Sequence, residues 1–165
     1  MSRANLFRTN VLSSDRDAVR DIVASTEFFS SEEIDVAVEL VDERLKIGEA
    51  SGYHFLFVET DRRVAGYTCF GPIPCTQSSF DLYWIAVHQD YRGRGLGAEL
   101  MLRSEELIRA QGGRRVYIET SSRPQYEPTR GFYLRCGYRE AAFLPNFYGA
   151  DDGKLIYERR LQDPV

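Results

Sequence analysis

A glycine-rich run at residues 92–97, with the sequence RGRGLG, constrains the fold more than any other feature of the chain. It follows an apolar segment at 80–87 that predicts a strand buried on both faces, and it opens a segment at 95–111 whose apolar residues repeat at helical spacing. Free backbone N–H groups at a helix N-terminus bind anionic oxygens, and glycines let those oxygens approach. Arg92 and Arg94 add positive charge there. The run therefore predicts a phosphate-binding loop at a strand-to-helix junction.

The apolar patterns along the rest of the chain predict an α/β fold with a mixed central sheet. The predicted strands are residues 4–10, 53–59, 64–70, 80–87, 114–120, 138–147 and 154–161. The predicted helices are residues 14–25, 30–48, 95–111 and 128–137. We predict a single domain over residues 1–165, with about six or seven strands, about four flanking helices and one parallel crossover.

Three of the predicted helices have local start signals. Ser13 or Ser14 can cap the first helix, and the polar segment at 30–33, SSEE, can cap the second. Pro128 suits the first turn of the fourth helix, where its missing N–H is not needed. These signals predict where the helices begin.

The composition excludes several classes of protein. The 165 residues carry a formal net charge of −4 and have a pI near 5.3, which argues against non-specific binding to nucleic acid or to an anionic membrane. No apolar run approaches the roughly 18 residues of a membrane span, and the segment MSRANLFRTN lacks the apolar core of a signal peptide. We therefore expect a cytoplasmic protein with no nucleic-acid partner and no membrane partner.

The cysteines and histidines predict neither a disulfide framework nor a metal centre. Cys69, Cys75 and Cys136 form an odd set without CxxC spacing, which is typical of buried or half-buried free thiols in a reducing compartment. His54 and His88 have no partners at metal-ligand spacing, so we expect no metal.

A dinucleotide site is an alternative interpretation of the glycine run. Residues 93–98 satisfy the pattern G-x-G-x-x-G/A, and Glu119 lies near the distance at which a ribose-binding acid is expected. However, residues 88–92 separate the strand from the glycines, and only one parallel crossover is predicted. A dinucleotide oxidoreductase therefore remains as a competing hypothesis, which predicts binding of NAD(H) and not of coenzyme A.

Two segments together resemble a known family. Residues 87–97, VHQDYRGRGLG, resemble the signature R/Q-x-x-G-x-G/A of the GCN5-related N-acetyltransferases, the GNAT family, and residues 131–138, GFYLRCGY, resemble its FYxxxGF element. The resemblance implies the GNAT fold and an acyl-CoA donor, usually acetyl-CoA. Its pyrophosphate would meet the glycine run, and its pantetheine arm would lie beside the end of the preceding strand. The cofactor-binding residues that we expect are Ile85, Ala86, Val87, Arg92, Gly93, Arg94, Gly95, Leu96, Gly97 and Tyr133.

The chain departs from the family pattern at one position. Many members have an asparagine seven residues before the tyrosine of the FYxxxGF element, and that position is Tyr126 here. Any role of that asparagine is therefore not carried over to this chain.

Acyl transfer to an amine needs a route for a proton and a donor to the leaving thiolate. An alkyl amine with a pKa near 10.4 leaves roughly one molecule in 2,500 unprotonated at pH 7. The resemblance makes Tyr133 the candidate general acid and Asp81 the first candidate base, and Glu119 is the second candidate. Packing of Tyr133 against the sheet and a solvated Asp81 are the alternatives. Cys136 lies near a helix C-terminus, where the dipole disfavours a thiolate nucleophile.

The leading hypothesis is direct transfer of an acetyl group from acetyl-CoA to a primary amine of a small molecule or a peptide. The alternative is a non-catalytic module that binds acyl-CoA and regulates or assembles. Whether two copies associate as a homodimer stays open. The residues that could wall an acceptor site, although we expect core packing for most of them, are Trp84, Phe143, Phe147 and Tyr148.

Overall fold

The structure of the protein is a computed structural model, and it describes residues 4–162. The described residues form seven strands and four α-helices. The strands are β1 (Leu6–Arg8), β2 (His54–Thr60), β3 (Arg63–Pro72), β4 (Ser79–Val87), β5 (Arg115–Ser121), β6 (Arg139–Gly149) and β7 (Asp152–Arg160). The helices are α1 (Asp15–Ser25), α2 (Ser31–Ile47), α3 (Leu96–Ala110) and α4 (Glu127–Arg135).

The seven strands form one mixed sheet in the order β1-β2-β3-β4-β5-β7-β6. Strands β4 and β5 are parallel, with Ser79 opposite Arg115 and Asp81 opposite Tyr117. The pairs β1–β2, β2–β3, β5–β7 and β6–β7 are antiparallel. Helix α3 provides the long crossover that a parallel pair requires. The predicted α/β class and the strand and helix numbers are confirmed.

The chain divides into two compact units. The first unit comprises the chain up to Gly71 together with Trp84–Ser104, and the second comprises Pro72–Tyr83 together with the chain from Glu105 onward. In the first unit, α1 and α2 pack on β2 and β3 around the stacked rings of Phe55, Phe57 and Tyr67. The single domain over residues 1–165 stays a prediction.

The two N-terminal helices begin by different means. At α2 the Ser30 side chain accepts a hydrogen bond from the Glu33 N–H at 3.2 Å, and the Glu33 carboxylate accepts one from the Ser30 N–H at 2.8 Å. At α1 Ser14 takes the N-cap position, but its side chain makes no capping bond. The predicted serine cap is wrong there, because Ser14 has helical φ and ψ angles of −68° and −15° and not the extended angles of a capping residue. The Asp15 carboxylate accepts the Leu12 N–H at 2.8 Å in the same turn.

The first half of β4 is buried on one face only, so the prediction of burial on both faces is wrong. Phe80 and Leu82 are buried, whereas Asp81 is half-buried and Tyr83 is 38% exposed. A side chain at Gly113 would meet Phe80 and Ile108 within 3 Å, so the end of α3 covers the Phe80 face closely. The opposite face presents Asp81 and Tyr83.

Candidate functional site

The glycine loop, residues 92–97, forms an open turn in which two glycines have positive φ angles. Gly93 and Gly95 have φ angles of +74° and +78°, and an added Cβ would meet nothing within 4 Å at either position. The first helical hydrogen bond runs from the Glu99 N–H to the Gly95 carbonyl at 3.2 Å. The preceding amides are those that an α-helix leaves without an intrahelical partner. The loop therefore offers N–H groups beside open space.

Two arginines add charge to this loop without being neutralised. The Arg92 guanidinium lies 5.5 Å from the centre of the Phe28 ring, and that of Arg94 lies 5.0 Å from the centre of the Tyr91 ring. Arg94 also donates to the Asp90 carbonyl at 3.2 Å. Within residues 4–162 neither arginine forms an ion pair with a carboxylate. Their positive charge is available to an anionic ligand.

The segment that leads into the loop is held rigidly. The N–H of buried His88 donates to the Ala65 carbonyl at 2.8 Å, and the His88 Nδ1 accepts the Asp90 N–H at 3.1 Å. The Gln89 N–H donates to the Ser25 hydroxyl at 3.0 Å, which ties the segment to the end of α1. The structure places the expected cofactor residues of β4, Ile85, Ala86 and Val87, immediately before this segment.

The second unit brings the two candidate bases onto one face of its sheet. Asp81 lies opposite Tyr117 in the β4–β5 register, and Glu119 is two residues further along β5 on the same side. Burial raises the pKa of the Asp81 carboxyl, the charge of Glu119 raises it further, and the Lys154 ammonium lowers it. Asp81 therefore holds a proton more readily than an ordinary aspartate does.

Sequence reasoning missed Lys154, which joins this pair. Its Nζ lies 2.7 Å from the Glu119 Oε2 and 4.0 Å from the centre of the Phe147 ring. Lys154 stands opposite Ser121 in the β5–β7 register, so it shares a sheet face with Glu119. The sequence offered one signal for this residue, because Lys154 is one of only two lysines in the chain. We call Asp81, Glu119 and Lys154 the charged triad.

Tyr133 lies on α4 inside an aromatic cluster of the second unit. The centres of the Phe132, Tyr138 and Tyr157 rings are 5.9, 6.4 and 5.8 Å from that of Tyr133. Burial raises the pKa of the Tyr133 phenol above its ordinary value, with smaller contributions from nearby groups. The hydroxyl therefore stays protonated through neutral pH. The role of this tyrosine as a general acid stays a prediction.

The segment before α4 is built by an arginine that the sequence did not single out. Arg130 donates to the carbonyls of Ser121 and Arg123 at 2.8 and 2.9 Å, which fixes the end of β5 against the start of the helix. Pro128 lies in the first turn of α4, as predicted. Tyr126, at the position of the family asparagine, is buried, and the Arg123 guanidinium lies 5.6 Å from its ring centre.

The three cysteines are free, and their exposure differs. Cys69 is buried and Cys136 is partly buried, but Cys75 is exposed, so the expectation of burial is wrong for Cys75. Burial raises the pKa of the Cys136 thiol, and the charge of Glu105 raises it further. A thiol with a raised pKa is a poor nucleophile, which agrees with direct transfer.

The aromatic residues of β6 lie on the surface, so the expectation of core packing is wrong for them. Phe143, Phe147 and Tyr148 are 50%, 53% and 50% exposed. The reason is that β6 is an edge strand and its register with β7 is interrupted between Leu144 and Gly149. Trp84, in contrast, packs against the core of the first unit, with its ring centre 5.1 Å from that of Phe29.

Residues 4–162 contain no group of three or more histidine, cysteine, aspartate or glutamate side chains that could hold a metal ion. Among the helices of the same residues, none combines the length and apolarity needed to cross a membrane.

Comparisons with known proteins point to one family. Residues 17–138 match the family model described as the Acetyltransferase (GNAT) family. A Desulfovibrio desulfuricans protein, provisionally assigned as an acetyltransferase of the GNAT family, is 48% identical to this chain. Its crystal structure superposes with a TM-score of 0.93 and covers 95% of this chain and 99% of its own.

More distant relatives differ in their acceptors. A Bacillus subtilis (strain 168) protein, provisionally assigned as a [ribosomal protein bS18]-alanine N-acetyltransferase, is 30% identical over 101 residues. The match covers 61% of this chain and 63% of that protein, which is less than two thirds of its length. An aminoglycoside 6'-N-acetyltransferase crystallised with coenzyme A shares the fold, with a TM-score of 0.75, 16% identity and coverage of 97% of this chain and 99% of its own.

Proposed function

We propose that this chain, which belongs to the GNAT family of acetyltransferases, transfers an acetyl group from acetyl-CoA directly to the primary amine of a peptide. The family model matches residues 17–138, which is most of the chain. Acetyl-CoA-dependent N-acetylation follows from that membership. We infer the acceptor and the roles of the residues from the geometry.

The glycine loop is the observation that carries the proposal. Its two positive-φ glycines leave open space beside the amides of a helix N-terminus, and Arg92 and Arg94 bring unpaired positive charge. These features fit a pyrophosphate, which has several anionic oxygens at close spacing. The residues that would hold the nucleotide and pantetheine parts of the donor are Ile85, Ala86, Val87, Arg92, Gly93, Arg94, Gly95, Leu96 and Gly97.

The reaction releases a proton, and the carboxylates that we propose to receive it lie in the second unit. The acceptor nitrogen forms a bond to the thioester carbonyl carbon, the carbon–sulfur bond breaks, and the nitrogen loses a proton. The thioester supplies an acetyl group that is already activated, so the protein needs no covalent intermediate. Asp81 or Glu119 can receive the proton, directly or through water.

Tyr133 is the proposed donor to the departing thiolate. A phenol whose pKa is raised by burial remains protonated at neutral pH. Because an ordinary thiol has a pKa near 8.5, the phenol stabilises the thiolate mainly by donating a hydrogen bond as charge develops on the sulfur. Its role requires the hydroxyl alone, since the ring already packs in the aromatic cluster.

Two observations favour a peptide amine over a polycationic small molecule. The exposed side chains of Phe143, Phe147 and Tyr148 offer apolar surface to a peptide side chain next to its amine. Lys154 neutralises Glu119, so the charged triad leaves a single unpaired carboxylate, that of Asp81, which matches one ammonium group better than several. A peptide α-amine has a pKa near 7.7–8.0, so roughly one in ten is unprotonated at pH 7 and the demand on the base is small. The Bacillus subtilis relative, named for an alanine of a ribosomal protein, supports this choice.

A monovalent small-molecule amine is the second candidate acceptor. The half-buried carboxyl of Asp81 can receive the proton of one amine whatever group carries that amine. This candidate predicts turnover of simple alkyl amines without an adjoining peptide.

The test is thiol release from acetyl-CoA over a matched panel of amines. We expect release with a peptide that has a free N-terminal alanine, and none with the same peptide blocked at its N-terminus or with an aminoglycoside. Release with alkyl amines alone would favour the second candidate. Tight binding of acetyl-CoA without release on any amine would favour a non-catalytic binding module. Binding of NAD(H) without coenzyme A would favour the dinucleotide hypothesis.

A further inference from the structure

Lys154 forms an ion pair with one of the two candidate bases and acts on the other only through its charge. Its side chain is only 13% exposed, and its Nζ lies 2.7 Å from the Glu119 Oε2. The same Nζ lies 4.0 Å from the centre of the Phe147 ring, where an ammonium is attracted by the face of the aromatic ring. Lys154 is therefore engaged from two sides by residues of the second unit.

The strands around Lys154 leave its backbone little freedom. A side chain at the neighbouring Gly153 would meet a Phe143 ring carbon at 2.3 Å and the Leu144 carbonyl at 2.9 Å, so β6 and β7 approach closely there. On the other side Asp152 accepts a hydrogen bond from the Ser121 hydroxyl and pairs with Arg123 at 3.2 Å. Contacts with β6 and with the end of β5 therefore fix the segment of β7 that places the Lys154 ammonium beside Glu119.

Asp81 has no such partner. Within residues 4–162 no hydrogen bond or ion pair engages its carboxyl, although it is half-buried. The titratable groups that the registers of β4, β5 and β7 place on its face of the sheet are Tyr83 on its own strand, Arg115, Tyr117 and Glu119 on β5, and Lys154, Glu158 and Arg160 on β7. Arg115, also on β5, is paired with Glu158 at 3.8 Å. Of the two carboxylates in the charged triad, Asp81 alone is uncommitted.

We infer that Lys154 is a positioning residue of the acetyl transfer: it commits Glu119 to an ion pair and leaves Asp81 as the carboxylate that receives the acceptor's proton. The inference rests on the proposed function, since it needs an acceptor amine. The lysine also favours the ionised form of Asp81, because burial and Glu119 both raise the pKa of that carboxyl and the ammonium lowers it. The proton passes from the acceptor nitrogen to an Asp81 oxygen and later to water.

The experiment compares pH profiles of kcat/KM with a carboxyl titration that needs no turnover. A base must be ionised, so activity falls as the pH drops through the pKa of Asp81. In Lys154→Met the loss of the ammonium raises that pKa, and we expect the acidic limb to move up by about one pH unit, with about tenfold lower kcat/KM on that limb. In Lys154→Arg the positive charge is kept, so we expect the acidic limb and kcat/KM to stay close to the wild-type values. Lys46→Met, at the other, exposed lysine, is the matched control and should behave like the wild type.

Glu119→Gln gives a second, opposite test. It removes the negative charge that raises the pKa of Asp81, so the acidic limb should move to lower pH. A carbon-13 NMR titration of the Asp81 carboxyl, without any acceptor present, should show a higher pKa in Lys154→Met and a lower pKa in Glu119→Gln than in the wild type.

Three outcomes decide the inference. Matching shifts in the NMR titration and in the pH profile support it. An Asp81 titration that does not respond to Lys154→Met, or a pH profile that stays still while the titration moves, overturns it in an enzyme that remains active. Absence of turnover on every amine removes the proposed function and the catalytic role with it, a result that the wild-type assay alone distinguishes from the other two.

Discussion

At the scale of single residues, burial shifts the pKa of the two groups to which we assign the proton transfers. Tyr133 is enclosed by three aromatic rings, which raises the pKa of its phenol and keeps it a hydrogen-bond donor through neutral pH. Asp81 experiences the same desolvation, but for a base the effect is opposed to its task, because it favours the protonated form. The cation of Lys154 compensates for part of this effect. Burial thus favours the protonated form of both groups, which is the form that a hydrogen-bond donor needs and not the form that a base needs.

Removal of the Tyr133 hydroxyl tests the acid directly. In Tyr133→Phe the ring still fills the aromatic cluster, so we expect affinity for acetyl-CoA to stay nearly normal while turnover falls by roughly 10²-fold or more. Tyr157→Phe, which removes a neighbouring hydroxyl from the same cluster, is the control and should keep its turnover. Steady-state kinetics and a direct acetyl-CoA binding assay measure both quantities. Unchanged turnover in Tyr133→Phe would remove this residue from the mechanism.

Substitution of Asp81 should separate stability from activity. A folded-state pKa above the unfolded value means that the ionised carboxylate is unfavourable in the fold, so its cost is present above the folded pKa and absent below the unfolded pKa. We therefore expect Asp81→Asn to melt at a higher temperature than the wild type at pH 8, with the difference vanishing near pH 3, while kcat/KM falls. Thermal unfolding at the two pH values measures the first effect. A lower melting temperature at pH 8 would contradict the account of this carboxyl.

At the scale of secondary-structure elements, the glycine loop and the β6 edge show what local sequence can and cannot predict. The Ser30 cap, Pro128 and the glycines were predicted because each signal acts within one turn of backbone. The exposure of Phe147 was not, because it depends on an interrupted register with another strand. The partner of Glu119 was missed for the same reason, since Lys154 lies on a strand 35 positions further along the chain.

A large side chain in the glycine loop should have two effects, a loss of unfolding free energy from backbone strain and a loss of affinity for acetyl-CoA, and a control variant can separate them. In Gly95→Leu a side chain must adopt a φ near +78°, which costs about 1–2 kcal/mol, and it also fills the space beside the loop amides. Gly52→Leu is a matched control, because Gly52 has a φ of +75° and equally open surroundings outside the loop. We expect similar losses of unfolding free energy in both variants and a loss of acetyl-CoA affinity in Gly95→Leu only. Equal affinity in the two variants would contradict the assignment of the loop.

At the scale of the whole molecule, an acidic chain concentrates unpaired positive charge where the donor is expected. The formal net charge is −4, yet Arg92 and Arg94 have no carboxylate partner within residues 4–162. The order of strands and helices was predictable because the helical segments repeat apolar residues at helical spacing, whereas the strand segments are short runs of aromatic and β-branched residues. The division into two compact units was not predicted, because it interleaves segments from both halves of the sequence. Family membership, in turn, establishes the chemistry but not the acceptor.

The most direct measurement of the central claim is the stoichiometry of thiol release with and without an acceptor. With acetyl-CoA and a peptide that has a free N-terminal amine, we expect one thiol released for each peptide that gains one acetyl group in the mass spectrum. With acetyl-CoA alone, we expect no release, because the transfer is direct. A burst of thiol equal to the enzyme concentration in the absence of acceptor, or bound acetyl-CoA that is never consumed with any amine, would contradict the account.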